Sequence, residues 1–571
     1  MRGGSQRAAA AAGGYARVVK IGSPAAPRPS IDRSGTSWAA WVGCPGNTNG
    51  SLVGTRLDEL DGQVGLISYD ASPDEVLVAT DPFGMQAVYV AEEVERTLVS
   101  TSALCLAKHL RTPPSLRGMY AFLRSGYQFG SLTSWDGIER LEPGTCVRFA
   151  PAGRRREIYW RPTVDQTVSR LAFVPAVDHC IEVATEHLSS RSTDSSLPWS
   201  DLTAGFDSRL LNLLLERAGV SFRTNTVGER DHVDVRLASE VAHAASWEWT
   251  RFAPPSDWPE RLPGWLRTAL VWGDGNLEVT QLAQVLSVHA EKRRNSLLLF
   301  NGGGGEHFRS YPWSQEFLRA GRSKHVNFDN WLDMRLLSPM DTSIFRLDPT
   351  PEVREDFRAR MSAWAEPLSG ERNTTQLDAL YAYKSTGHFG AYHSAAGGTL
   401  ITELPFYTKS TFTAGHSVSF RHRNHHRLMR HMIERLDPRI AAVETEPGGP
   451  AAPWRRSNLH RFLPYYRRIA RTAARKLADR GAPGRPSLRP AATDPGAAAK
   501  RRAVLSFLSD GSAVSRTTLR SGALYRESEL EEFLSRSLRP DFRQTSLFGR
   551  LATIELLLKE TDTSVEQWHI N

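Results

Sequence analysis

Between residues 197 and 301 short apolar strands alternate with helix-length segments, and this alternation constrains the fold more than any other feature of the chain. Strand-like runs at 197–203, 221–227 and 296–301 are each followed by a helix, at 207–218, at 232–246 and again beyond 301. Strands that alternate with helices form a parallel sheet covered by those helices. Ligands of such sheets bind beyond the carboxyl ends of the strands. Two glycine-bearing turns fall there, one in LPWSDLTAGFDSRL (197–210) and one in NGGGGEHF (301–308). In the first, Thr203, Ala204 and Gly205 are small enough to let an anion approach backbone N–H groups. Asp207 and Ser208 open the next helix, where Ser208 can bond a phosphate and Asp207 can hold a metal bridging it. The turn lacks the lysine and spacing of a Walker A loop. Taken alone it is first of all a tight strand-to-helix connection, and the rest of the chain must decide.

A length of 571 residues exceeds what one hydrophobic core serves and implies two or three domains. Apolar content of 40 % with 15 Trp points to packed globular units rather than disorder. The four cysteines (Cys44, Cys105, Cys146, Cys180) are scattered without a CxxC pair, which fits a reduced cytoplasmic protein and argues against a zinc ribbon. No apolar run approaches the roughly 20 residues that span a bilayer, so no membrane is expected as a partner. Residues 1–35, basic and alanine-rich at their start, read as a disordered or weakly ordered extension rather than a signal peptide. Most of the net charge of +9 comes from 455–480, where nine Arg/Lys face a single Asp. That segment reads as a solvated basic helix, and nucleic acid is not an expected partner.

Strand-like alternation fills 37–102, with turns at Ser72-Pro73-Asp74 and Pro82-Phe83-Gly84. A helix at 115–125 and a strand–turn–strand unit at 134–150 follow, and a first domain closes within 36–165. Residues 170–195 form an amphipathic helix that opens a second domain, 170–571, mostly helical from 330 to 440 and again over the last seventy residues. RGAPGRPSLRPAATDPGAAAK (480–500) reads as a flexible insertion.

The order of several motifs resembles that of the asparagine synthetases. LDGQVGLISYD…VLVATDPFGMQAVYV…LVSTS…TSWDGIERLEPGT is similar to their amino-terminal glutaminase domain, with DPFG (81–84) and I-x-x-L-x-PG (138–144) the clearest marks. The turn at 203–208 is similar to the family's SGGxDS pyrophosphatase loop, with Thr for Ser and Ala for the first Gly. NGGGGEHF sits where the family carries an SGEGADEL-type loop, and ELPF (403–406) resembles its RVPF segment. The resemblance implies a multi-domain α/β protein. An Ntn-type αββα sandwich would precede an α/β parallel-sheet ATP-pyrophosphatase domain with a helical carboxyl-terminal part. A glutaminase of this type needs a cysteine next after Met1, and residue 2 is Arg. Cys44 is read as a small buried hydrophobe. The first domain is therefore expected to be structural.

The resemblance also implies a site. Thr203, Ala204, Gly205, Phe206, Asp207 and Ser208 would cradle the ATP phosphates, with Gly302, Gly303 and Gly304 allowing close approach of the nucleotide. Asp207 and Glu306 match the magnesium-binding positions, Glu replacing the usual Asp. Thr226 and Val227 stand where relatives contact adenine, while Asp231 and Asp234 read as helix-opening residues. Related enzymes that form intramolecular amides use a Tyr–Glu pair and a late Lys. Here Tyr383 with Glu403 is the preferred pair and Tyr381 with Glu403 the alternative. The late Lys is missing among only nine lysines. Lys384 and Lys409 are the nearest, and Arg421 or Arg423 is expected to take its electrostatic role. His416, His422, His425, His426 and His431 lack a zinc pattern.

The expected function is an ATP- and Mg2+-dependent ligase that adenylates a carboxylate and joins it to an amine. Among such enzymes the resemblance favours peptide or natural-product tailoring, in particular the lasso-peptide macrolactam cyclases. The substrate would be a small molecule or peptide carrying both groups, with a leader protease or peptide-recognition protein as partner. The alternatives are an amidotransferase using ammonia from elsewhere, a catalytically degenerate scaffold, and an RNA-modifying enzyme with the same ATP loop.

Overall fold

Both alternating faces of QVGLISYD and EVLVAT are apolar, so a sheet built from them has to be covered on two sides. The computed structural model describes residues 7–10, 17–20, 30–45, 52–94, 96–190, 197–253, 255–313, 316, 319–337, 340–480, 497–509 and 514–565. Strands β1 (Arg7–Ala10) and β2 (Arg17–Lys20) pair with each other. Strands β3 (Ser30–Ser34), β4 (Ser37–Cys44), β5 (Gln63–Asp70) and β6 (Glu75–Thr80) belong to a six-stranded antiparallel sheet. Strands β7 (Tyr89–Glu92), β8 (Thr97–Ser100) and β9 (Ile138–Arg140) form a smaller sheet, ordered β8–β7–β9. β10 (Thr145–Ala150) and β11 (Gly153–Ile158) complete the larger one, ordered β11–β10–β6–β5–β4–β3.

The two sheets stack through Trp38, Tyr69, Val76 and Val78 on one side and Val88, Val90 and Leu141 on the other. Gly65 permits that approach, since a Cβ there would lie 2.9 Å from Val88 Cγ2. Helices Ala103–Leu110 and Leu116–Ser125 cover the outer face of the smaller sheet. The outer face of the larger sheet is covered by Leu52, Leu57 and Leu60 from the connection between β4 and β5. The expected αββα order is thus corrected to one helical layer among the described residues: the short connection shields the second face with leucines instead. The expected extension 1–35 is corrected as well. Its Ser30–Ser34 stretch is an edge strand, in register from Ser30 opposite Trp41 to Ser34 opposite Ser37, around a turn with Gly35 at φ +61. Most of the expected insertion at 480–500 lies outside the described residues.

In the second part, β12 (Trp199–Asp201), β13 (Arg223–Val227), β14 (Trp249–Phe252), β15 (Leu298–Phe300) and β16 (Ile401–Glu403) form one parallel sheet. Its order is β14–β13–β12–β15–β16. The strand order reverses between β12 and β15, and a crevice opens at such a point. The sequence marks β12, β13 and β15; β14 and β16 were not anticipated. After β15 the expected helix is replaced by a 3-10 turn, Gly305–Phe308.

The motifs of the first part turn out to be its contact surface with the second. Asp81 of DPFG accepts the N–H groups of Phe83, Met85 and Gln86, which fixes the turn. Thr386 Oγ1 donates to Phe83 O at 2.9 Å, and Arg140 reaches both Gly84 O and Thr386 O. Gln63 donates to Leu404 O and Tyr407 O while accepting from the Leu404 N–H, so it clamps the ELPF segment. Asp61 caps helix Lys409–Ser417 through the Lys409 and Ser410 N–H groups.

Burial also sets a pH response. It pushes His289 down to about 3, with Lys292 adding to the effect, and it pushes His388 and His393 down to about 4. A histidine held neutral in the fold binds fewer protons there than in the unfolded chain. Its stabilisation is therefore complete above about pH 6.5 and is lost as pH falls toward the folded value. Asp81, Asp274 and Glu278, pushed up by burial to about 6, 7 and 7, act in the opposite sense over part of that range. Single-site comparison separates the two. His289→Leu is expected to make the stability–pH slope between pH 6 and 4 shallower by up to about 1.4 kcal/mol per unit, the value for one proton. Urea titrations at fixed pH steps measure it, and an unchanged slope would show that His289 protonates freely.

Candidate functional site

The two glycine-bearing turns meet in the crevice between β12 and β15. Asp201 ends β12 and Asn301 follows β15, and Asn301 Nδ2 donates to Asp201 Oδ2 at 2.7 Å. Lys292 Nζ donates to the other Asp201 oxygen at 3.0 Å. Burial alone would raise the Asp201 carboxyl, but Lys292 and Asn301 bring it below the ordinary range. Nothing in the local sequence singles out this network, because Lys292 arrives from a helix about ninety residues away.

The glycines let one turn lie on the other. A Cβ on Gly302 would stand 3.0 Å from Asp207 C and Ser208 N, and one on Gly305 would stand 2.7 Å from Asp207 Cβ. Gly304 adopts φ +96 under Phe406 and Tyr407, and Gly303 lies against Leu404 and Phe389. The freedom expected to admit a nucleotide is used first to bring Asp207 against the second turn. Gly305→Ala should therefore displace Asp207, with a destabilisation of about 1–3 kcal/mol typical of overpacking. Thermal denaturation measures it, and an unchanged melting temperature would mean that the turns are not locked together.

Inside the first turn the donors have partners. Thr203 N–H donates to Ser208 Oγ at 3.0 Å, Gly205 N–H to Thr203 Oγ1 at 3.1 Å and Ala204 N–H to Asp234 Oδ1 at 3.1 Å. Asp234 is thus more than a helix-opening residue: it is the carboxylate nearest the loop backbone in this set of bonds. Helix Phe206–Arg217 begins without a side-chain cap, so its first N–H groups have no side-chain acceptor. Phe206 stacks on His426, with ring centroids 5.3 Å apart.

Asp207 and Glu306 come together as the resemblance implies, and an arginine joins them. Arg309 forks onto Asp207, Nε to Oδ1 at 2.9 Å and Nη2 to Oδ2 at 2.5 Å, and its Nη2 lies 3.9 Å from Glu306 Oε1. Glu306 accepts the Gly304 N–H at 3.0 Å and the Tyr381 hydroxyl at 3.4 Å. Burial, and then the charge of Asp207, raise the Glu306 carboxyl against the pull of Arg309. Among the described residues no group of three or more His, Cys, Asp and Glu is placed to hold a metal. Two carboxylates nevertheless match magnesium, which takes one or two of them together with phosphate oxygens and water. Asp207 would exchange its arginine partner for the ion.

Three expected residues lie elsewhere. Tyr383 donates its hydroxyl to Glu142 of the first domain at 3.2 Å and stacks on Trp364, so the expected Tyr383–Glu403 pair does not form. Glu403 is buried at the end of β16, with His187 Nε2 3.8 Å from its Oε1. Arg421 is exposed on the short helix Phe420–Arg423. Arg423 is buried and bound to Asp378, and Lys409 reaches back to Asp58 O. The Thr226 hydroxyl is engaged within the sheet by Leu202 O and Trp249, whereas Val227 is exposed at the strand end. The residues that do surround the carboxylates are Tyr381, Arg309, Tyr311, Arg335 and Lys384. Of these the sequence marked only Tyr381, as the alternative partner of Glu403, and Lys384, as one of the nearest lysines to the missing one.

No family model matches the chain, and no curated protein matches it. Among solved structures, the glutamine phosphoribosylpyrophosphate amidotransferase from B. subtilis, complexed with ADP and GMP, is similar over 39 % of this chain at 10 % identity and a TM-score of 0.16. The match spans 48 % of that chain, about half its length. No described helix is long and apolar enough to cross a membrane.

Proposed function

We propose that this chain is an ATP- and magnesium-dependent ligase that activates a carboxylate as its adenylate and joins it to an amine. The observation that carries the reading is the meeting of Asp207 and Glu306 at the point where the parallel sheet reverses its strand order. The resemblance to asparagine synthetases without a glutaminase nucleophile favours peptide or natural-product substrates, with macrolactam formation as the specific candidate.

In this reading the uncapped N–H groups of helix Phe206–Arg217 bind phosphate oxygens. A bound magnesium held by Asp207 and Glu306 would neutralise charge on the departing pyrophosphate. Arg309 adds a fixed positive charge beside them. A substrate carboxylate oxygen forms a bond to the α-phosphorus as the bond to pyrophosphate breaks. The amine nitrogen then attacks the acyl carbon, AMP leaves, and the amine gives up a proton. Tyr381 does not take that proton: burial, and then the charge of Glu306, hold its hydroxyl well above the usual tyrosine range. It orients Glu306 instead.

One observation favours a second reading, a scaffold that no longer turns over ATP. Asp207 is already neutralised by Arg309, and three N–H groups of the first turn are satisfied within the protein. Titration calorimetry with ATP and Mg2+ separates the two, followed by pyrophosphate–ATP exchange with a panel of peptides bearing an amine and an acidic side chain. Binding and peptide-dependent exchange support the ligase, whereas absence of nucleotide binding selects the scaffold.

A further inference from the structure

Among the described residues, one cation beside the carboxylates makes no ion pair. Lys384 lies at the end of helix Asn373–Ser385, just before the backbone widens into a π-turn at Thr386–Gly390. Wide turns of that kind frequently mark functional positions. Among the described residues the Lys384 ammonium forms no hydrogen bond or ion pair. Its neighbours are the rings of Tyr381 and Tyr127, with Nζ 5.6 and 5.7 Å from their centroids. Three other lysines packed in the fold are paired: Lys108 with Glu560, Lys292 with Asp201, and Lys409 with a backbone carbonyl.

The two arginines and two carboxylates around Lys384 balance, which leaves the ammonium as the uncompensated charge of the group. Arg335 lies over the Tyr311 and Tyr381 rings, and Arg309 neutralises Asp207. Glu306 is the facing carboxylate, and it is shared with Arg309, Tyr381 and Gly304. His388, on the π-turn, is held neutral by burial and contributes no charge. Burial, and then Arg335, lower the Lys384 amine to about 8, with Glu306 opposing them. A half-buried ammonium facing aromatic rings gains less than it would from an anion.

We infer that Lys384 is the anchor for a substrate oxyanion, which enters beside Tyr381 and is either the carboxylate to be activated or a phosphate of the nucleotide. The identification of that oxyanion as a substrate's rests on the ligase reading. The anchor places the anion next to Glu306 and the uncapped helix end, with the two tyrosine rings as walls.

Competitive acetylation of the full chain tests the inference, with the rate at Lys384 read by peptide mass spectrometry. The nine lysines make the assignment direct. Two probes distinguish the sources, inorganic pyrophosphate and glutarate. An oxyanion on Lys384 that raises its pKa by about one unit cuts the reactive free amine, and hence the labelling rate, about tenfold. Slowing by pyrophosphate alone assigns the anchor to phosphate; slowing by glutarate alone assigns it to the carboxylate. Each outcome supports the inference. An unchanged Lys384 rate with both probes overturns it, whatever the nucleotide exchange assay shows. Slowing at Lys384 without any ATP binding would instead overturn the ligase reading and leave the anchor standing. In a second measurement, calorimetry with the effective probe, Lys384→Arg should retain binding and Lys384→Gln should lose about tenfold in affinity, one unit of pKa in equivalent terms. Equal affinities for Lys384→Gln and wild type would likewise overturn it.

Discussion

Asp207→Ala is expected to weaken ATP–Mg2+ binding and to abolish pyrophosphate–ATP exchange, a loss at or beyond the about 10²–10³-fold in rate that removing one preorganised electrostatic group costs. The residue stands in the first turn of helix Phe206–Arg217, against Gly305 of the second turn. Its side chain lies on the second turn and holds Arg309 in a fork, and that pair is lost in the variant. The substitution also forfeits a favourable helix-end charge of about 0.3–1 kcal/mol, and Arg309 keeps Glu306 within 3.9 Å. The variant should therefore fold, with a melting temperature within a few degrees of wild type, while losing nucleotide chemistry. Arg309→Met provides the complement. It releases Asp207, so it should lower the Mg2+ concentration needed for half-maximal ATP binding. If Asp207→Ala exchanged at near the wild-type rate, the active site would have to lie elsewhere. If neither variant nor wild type bound ATP, the scaffold reading would hold.

The largest effect on stability is expected at Asp378. This side chain is fully buried and accepts from Arg423 Nη1 at 2.6 Å and from Trp313 Nε1 at 2.9 Å. Arg423 in turn donates to His307 O and Val418 O, both at 2.9 Å, and lies over the Trp313 ring. The network supports the Gly305–Phe308 turn from behind. Asp378→Ala leaves the Arg423 guanidinium buried without its counter-ion, which costs about 3–5 kcal/mol. Replacing both partners, as in Asp378→Leu with Arg423→Met, removes the stranded charge as well and should cost less than the single change. Chemical denaturation of the two single variants and the double variant measures the coupling. A single-variant loss below about 1 kcal/mol, the level of an exposed pair, would mean that water reaches the network.

The motifs that carry the resemblance acquire a physical role in the fold. DPFG and LDGQ were legible as turns and strand starts, but their partners were not. Asp81 fixes a turn onto which Thr386 docks, and Gln63 clamps Leu404 and Tyr407. Both contacts bridge more than 300 residues of sequence. The first holds the end of the helix that carries Tyr381 and Lys384 against the first domain, and the second holds the segment after β16 there. A domain expected to be structural thus sits where it can position the site.

What the sequence determined by itself is local: the period of apolar residues, the two small-residue turns, and the order that places both at the carboxyl ends of parallel strands. These follow from backbone sterics and short-range burial, which act over a few residues and leave a readable pattern. Partner choice was decided only by the tertiary structure. Tyr381 and Tyr383 are two residues apart, hence about 200° apart around a helix, and docking against the first domain turns Tyr383 to Glu142 and Tyr381 to Glu306. In the same way Arg309, not Arg421, meets the carboxylates, because a 3-10 turn follows β15 in place of the expected helix. Charge can be counted along a chain; which charge is left facing a crevice, as Lys384 is, depends on how distant segments pack.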